Sequence, residues 1–186
     1  MKKDILPAIR LTIATVILFA VVYPVCVWGI AQLAPNNGKG ETTEYSGNTY
    51  YSNIGQSFTS DKYFQSRPSA VNYNAAGSGG SNKGPSNSEY LETVKARIDT
   101  FLVHNSDITK NEIPVDLITA SASGLDPNIS VQAAHIQVKR IAKVRGLSES
   151  DVRKLVDEQT EKPLLGLFGT EKVNVLKLNI ALDTLK

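Results

Sequence analysis

Between Leu11 and Ala34 the chain reads LTIATVILFAVVYPVCVWGIAQLA, without one charged residue. As a helix this stretch extends about 36 Å at roughly 1.5 Å per residue, more than the roughly 30 Å of a bilayer's hydrocarbon core, and it predicts a membrane span over 11–34. A cleaved leader is the competing reading, since the start is basic and Gly29-Ile30-Ala31 suits a peptidase. The apolar run, however, far exceeds the roughly 7–15 residues of a leader's core, which predicts an uncleaved anchor. Pro24 predicts a bend, because it removes a backbone donor and crowds the carbonyl one turn earlier.

Beyond the span the pattern changes. Residues 36–56 are rich in Gly, Asn, Thr, Ser and Tyr without helical period, and predict a tether running into an extended segment. FTSDKYFQSRPSAVNYN follows, with Pro68 turning Arg67 away from helix, and then the small-residue run AAGSGGSNKGPSN at 75–87. Ser86 and Glu89 stand at capping-box spacing before Leu91, Val94, Ile98, Phe101 and Leu102, which predicts a helix with one buried face. Ile113 to Ile118 predicts a short strand, followed by a small-residue turn that Pro127 stiffens. Ser130 is placed to cap a helix through Val131, Ala134, Val138 and Ile141 that ends at Gly146, and Ser148 a shorter one through Val152, Leu155 and Val156. The last segment, KVNVLKLNIALDTL, predicts a strand, although Leu176 to Leu182 fits a helix equally well. The expected architecture is an α+β extracytoplasmic domain attached to one N-terminal transmembrane helix. Its parts are a short tail at 1–10, the span at 11–34, a tether at 35–56 and the domain at 57–186.

Charge sets the orientation. Lys2, Lys3 and Arg10 precede the span with only Asp4 against them, whereas Lys39, Glu41 and Glu44 follow it. Positive charge stays inside, so the N-terminus is predicted cytoplasmic and everything from about Pro35 onward outside. The net charge of +2 is an effect of that tail alone, since the remaining 17 basic and 17 acidic residues balance, which speaks against a nucleic-acid partner. Cys26 is the one cysteine and lies in the span, so the outer domain is expected to hold together by its core, without a disulfide. On a wheel of about 100° per residue, Thr12, Thr15, Tyr23 and Cys26 fall within an arc of about 80°, with Ala8 on the same side. Such a stripe suits a neighbouring helix. The alternative is that each Thr hydroxyl bonds back to its own helix.

The small-residue run resembles a phosphate cradle but fails each template. Gly79 and Gly84 have Walker spacing, yet Pro85 follows where lysine is needed; Gly77 and Gly79 lead to Asn82 where a dinucleotide loop needs a third glycine. Ser78-Gly79-Gly80 also resembles the signature loop of transporter ATPases, a match too short to carry weight. His104 and His135 lie far apart and no cysteine joins them, so no metal site is predicted. His104 is expected at a helix C-terminus, where a partial positive charge is favourable. Ser121 and Ser123 read as a tight turn, not a nucleophile, and Lys139, Arg140, Lys143 and Arg145 as a solvated helix face. No catalytic or cofactor-binding residue is predicted.

Three blocks remain: YFQSRPSA (63–70) leading into SGGSNKGPSN (78–87), IPVDLITASASGLDPNIS (113–130), and KVNVLKLNIALD (172–183). With one N-terminal span they resemble, nearly from end to end, the C subunit of the bacterial high-affinity potassium-transporting (Kdp) P-type ATPase. Lys83, Asn128 and Gln159 depart from that pattern, standing where leucine and two histidines are usual. The resemblance implies a non-catalytic accessory subunit in the bacterial cell membrane, needed for assembly. Its implied partners are a channel-like potassium-binding subunit, a P-type ATPase subunit and a further small membrane peptide. ATP and potassium would belong to the complex. The family is also described as a catalytic chaperone that raises the ATP affinity of the ATPase subunit. The predicted orientation leaves only the first ten residues inside, without a nucleotide motif, which favours coupling through the membrane helix.

Under this reading Arg67, Gly79, Gly80, Ser81, Asn82 and Asn87 are candidate contacts to an outer loop of the channel-like subunit, with Arg67 as a brace, and Thr12, Thr15, Tyr23 and Cys26 are candidate contacts within the membrane. The alternative is that Arg67, Asn72, Asn74 and the loop tie together the domain's own turns. Valine at Gly79 and Gly80 is expected to weaken assembly while the domain stays folded. A direct cation site is disfavoured, Asp126 being the one acid in these turns. A solitary membrane-anchored solute-binding or envelope protein is the alternative function.

Overall fold

The computed structural model describes residues 2–185. It divides into two units, Met1–Thr43 and Glu44–Lys186, each built by itself.

In the first unit helix runs without interruption through α1 (Lys2–Val16), a π-helical stretch (Ile17–Val22) and α2 (Tyr23–Ala31). Of this, Lys3–Ala31 is long and apolar enough to cross a membrane, and none of it is buried within the chain. The helix therefore starts earlier than the predicted span and ends three residues sooner. The disturbance expected of Pro24 takes the form of the π stretch just before it, where the wider ladder makes room for a ring that would collide with the carbonyl one turn back. That stretch absorbs about one extra residue and so turns the wheel by roughly 100°. The arc that a uniform helix gives Thr12, Thr15, Tyr23 and Cys26 thereby widens from about 80° to about 140°, with Thr15 and Tyr23 still neighbours on the wheel. The Thr15 hydroxyl donates to Leu11 O at 2.7 Å, the self-satisfied alternative.

A hairpin forms where a tether was expected: β1 (Thr42–Tyr45) and β2 (Asn48–Tyr51) turn at Ser46 and Gly47, with φ of 50° and 78°. Two successive positive φ values match the twist of the flanking strands. In the second unit α3 (Ser88–His104) is the helix expected from the periodicity, with His104 at its last residue. Its cap is Asn87, whose side chain accepts from Tyr90 N at 2.9 Å; Ser86 does not cap, and Glu89 pairs with Lys83 at 2.7 Å. Ile113 to Ile118 is not a strand. Pro114 opens a 3₁₀ turn over Val115–Leu117, which buries Ile113 and Leu117 together.

Ser130 caps α4 (Val131–His135), and after a break at Ile136 and Gln137, α5 (Val138–Arg145) ends at Gly146 with φ 68°. Ser148 caps α6 (Glu149–Glu158). The three-stranded antiparallel sheet has the order β3 (Asn128–Ile129), β5 (Lys172–Asn174), β4 (Thr160–Glu161), with Ile129 opposite Val173 and Thr160 opposite Val173 on the other side. The final segment divides. Three residues are strand, then Asn174 accepts from Lys177 N at 3.1 Å and starts α7 (Val175–Thr184). The core joins Phe64, Phe101, Ile129, Ile141, Val152, Val173, Leu178 and Leu182. The architecture is mixed helix and sheet, with helices supplying most of the buried surface.

Candidate functional site

The segment 61–68 has no regular secondary structure, so its backbone groups need partners from side chains. Asn179 on α7 accepts from Phe64 N at 2.8 Å and donates to Phe64 O at 2.9 Å. Gln137, at the break between α4 and α5, accepts from Gln65 N at 2.8 Å. Arg140 donates to Asn105 Oδ1, Gln137 Oε1 and the carbonyls of Asp61 and Tyr63. Burial pushes the Arg140 pKa down, and the nearby Asp61 charge opposes this. The expected solvated basic face is thus divided. Lys139 and Lys143 are exposed, while Arg140 is buried and Arg145 holds Asp183 at 2.6 Å and lies 4.8 Å from the centre of the Tyr63 ring. The positively charged fork is used here to bind an irregular chain from inside, which a helical wheel cannot show.

This anchoring delivers Arg67 and Pro68 to the turn at 121–126. Ser121 N donates to Pro68 O at 3.3 Å, and Gly79 N and Ser78 Oγ both donate to Ser123 O, at 2.8 and 3.0 Å. Gly124 lies beneath, with φ +69°. A Cβ there would stand 2.6 Å from Val71 Cγ2 and 2.7 Å from Gly79 O, so the close approach excludes any side chain. Arg67 Nη1 meets Asp126 Oδ2 at 3.0 Å, both side chains being about one quarter exposed. The other carboxylate oxygen of Asp126 accepts from Asn128 N at 3.0 Å, setting the first residue of β3.

The Arg67–Asp126 pair separates two open depressions. One, of about 710 Å³, is also lined by Asn128, Ser130, Thr170 and Lys172; the other, of about 620 Å³, by Asn53, Ser78 and Ser121 to Ser123. Main-chain groups and shallow relief suit contact with a protein surface better than enclosure of a small molecule.

Of the residues singled out in the sequence, the fold brings Arg67, Gly79 and Gly80 onto this turn. Ser81 and Asn82 are exposed beside it, Asn82 with φ 53°, and Asn87 is engaged as the α3 cap. Thr12, Thr15, Tyr23 and Cys26 belong to the other unit. The two glycines differ. A Cβ on Gly79 would meet only Val71 Cγ1 at 3.6 Å, whereas one on Gly80 would stand 3.0 Å from Ala122 O, so valine at 80 strains the domain's own turn. Asp116, which accepts from Ser130 N at 2.7 Å and so ties the 3₁₀ turn to α4, escaped the sequence reading, as did Gln137 and Asn179. Polar residues on apolar faces were the available signal.

A family profile described as "KdpC: K+-transporting ATPase, c chain" matches residues 5–184, across both units and all three blocks. The chain belongs to the KdpC family. It is similar to the potassium-transporting ATPase KdpC subunit of Flavobacterium johnsoniae, 56% identical over 185 residues that cover 99% of this chain and 100% of the relative. The corresponding subunit of Bacteroides fragilis is 51% identical over 188 residues, covering 99% and 98%, and that of Caldanaerobacter subterraneus 46% over 184 residues, covering 98% and 95%. The three expected departures from the family pattern have local roles in this chain. Lys83 pairs with Glu89, Asn128 begins β3 and Gln159 closes α6.

Proposed function

We propose that this KdpC-family chain is the accessory subunit of an ATP-driven potassium uptake complex, anchored by one span with its N-terminus in the cytoplasm and its folded domain outside. The near end-to-end match to the c chain of a potassium-transporting ATPase carries the reading. Two features support the finer placement: Lys2, Lys3 and Arg10 precede the apolar helix, and the first two blocks meet at one polar turn, with Lys172 of the third lining the depression beside it. In this reading the turn of Arg67, Gly79 and Gly80, with Ser81 and Asn82 beside it, lies against an outer loop of a channel-like subunit. Potassium selection and phosphoryl chemistry belong to the larger subunits. Any effect on nucleotide affinity passes through the membrane helix, because a domain held outside does not meet cytoplasmic ATP.

The test is copurification of the full-length tagged chain from native membranes in mild detergent. Larger subunits of a potassium-transporting ATPase, identified by their peptides, are expected in stoichiometric amounts. A chain that purifies alone under conditions where the ATPase is expressed overturns the subunit reading in favour of a solitary anchored envelope protein.

A further inference from the structure

Between β4 and β5 the chain leaves the domain as a tight apolar turn, Pro163-Leu-Leu-Gly-Leu-Phe-Gly169. Leu164 and Phe168 form a bridge, with Leu164 N donating to Phe168 O at 2.9 Å and Phe168 N to Leu164 O at 3.0 Å. Leu165 and Gly166 both have positive φ, 55° and 72°. At the tip Leu164, Leu165, Leu167 and Phe168 are 64–80% exposed, and none belongs to the core. Four large apolar side chains in one turn make a patch of roughly the few hundred Å² that marks a contact site on a folded domain.

We infer that this turn is a plug that seats in an apolar socket on the extramembrane surface of another subunit of the transport complex, an inference that rests on the subunit reading above. Three observations select a protein socket as the occupant. The first is rigidity: Leu165 occupies the left-handed region that a branched side chain disfavours, and the cross-turn bonds hold it there. A fixed shape lowers the ordering cost of entering a complementary cavity, whereas lipid insertion rewards area regardless of shape. The second is charge. The base of the turn carries Glu161, Lys162, Glu171 and Lys172, with Lys172 paired to Glu161 at 3.5 Å, so it has no excess of positive charge to hold it against anionic headgroups. The third is continuity. Thr170, Glu171 and Lys172 at the foot of the turn line the same 710 Å³ depression as Arg67 and Asp126, so plug and polar turn border one surface.

Two measurements on the full-length chain in its native membrane test this. With benzoylphenylalanine in place of Phe168, irradiation is expected to give an adduct containing peptides of a second subunit of the complex; adducts to lipid alone, or none, overturn the inference. In copurification, the double variant Leu165→Ser/Leu167→Ser is expected to retain less than a tenth of the associated subunits, and Gly166→Val, which keeps every apolar side chain but strains the turn, is expected to lose them as well. Retention by the double variant, or by Gly166→Val alone, overturns the socket. Should a variant fail to fold, the crosslink on the otherwise unaltered chain decides. An unaltered chain that brings down no subunit defeats the subunit reading itself, whereas an unaltered chain and variants that bring down equal amounts defeat only the plug.

Discussion

The carboxamide of Asn179 closes on the backbone of Phe64 from both sides, its oxygen 2.8 Å from the amide nitrogen and its own nitrogen 2.9 Å from the carbonyl. Both residues are almost wholly inaccessible to solvent, and 115 positions separate them. A side chain thus supplies to an irregular strand what a neighbouring strand supplies in a sheet. Replacing Asn179 by leucine keeps the branching of the side chain but strands a buried N–H and a buried carbonyl, each costing about 1–3 kcal/mol. A loss of about 2–5 kcal/mol is expected in urea unfolding of the extramembrane domain within the full chain, against a negligible change for exposed Asn74→Ala.

Asp183 accepts from the hydroxyls of Tyr45 and Tyr63 and from Arg145. Burial pushes its carboxyl pKa up, but these hydrogen bonds and the Arg145 charge outweigh that effect and hold it below the ordinary aspartate value. A depressed carboxyl contributes stability above its unfolded pKa and loses it as pH falls through the folded one. Tyr45 behaves oppositely. Chiefly through its hydrogen bond to Asp183, its phenol is pushed up to about 12, so its contribution is complete below pH 10 and disappears as pH rises toward 12. Thermal unfolding of the unaltered chain is expected to weaken at both ends of the range. Asp183→Asn should lower the melting temperature near neutrality and flatten the acid limb, and Tyr45→Phe should flatten the alkaline one.

Gly124 and Gly79 touch across the same turn but differ in tolerance. At Gly124 both the positive φ and the 2.6 Å approach to Val71 oppose a methyl group, and Gly124→Ala is expected to destabilise by about 1–3 kcal/mol. Gly79→Ala should be neutral to within about 0.5 kcal/mol, since its Cβ would make only ordinary contacts. Gly79→Val alone is therefore a better probe of the proposed docking face than a change that includes Gly80. Reduced copurification with an unchanged melting temperature is the expected result, and undiminished copurification would remove this loop from the interface.

Orientation can be read with a membrane-impermeant maleimide on spheroplasts, using Lys3→Cys and Ser86→Cys in a Cys26→Ser background; both positions are exposed. Ser86→Cys should label in intact spheroplasts and Lys3→Cys only after lysis. The reverse pattern would put the domain on the ATP side and reopen direct nucleotide contact.

Local signals were legible where one short stretch of chain supplies the whole cause. A predominantly apolar stretch of 29 residues forms a helix whatever surrounds it, Ser130 and Ser148 cap the helices they precede, and Gly146 takes the left-handed conformation that ends one. Ambiguity entered where two local solutions had similar energies. Asn87 outcompeted Ser86 as cap one residue later, and the β-rich run after Lys172 stayed extended only while β3 and β4 flanked it, turning helical at Asn174.

By itself the amino-acid sequence determined the membrane-length helix, the family and the helical frame of the domain, because each depends on neighbouring residues or on an ordered set of motifs. Tertiary structure alone decided that Arg140 turns inward to hold the chain at 61–65, that Arg67 meets Asp126, and that Gly79 rests on the turn above Gly124. The physical reason is that a polar group's partner is set by which buried backbone atoms lack one after folding, and that shortage arises only when segments distant in sequence are packed together.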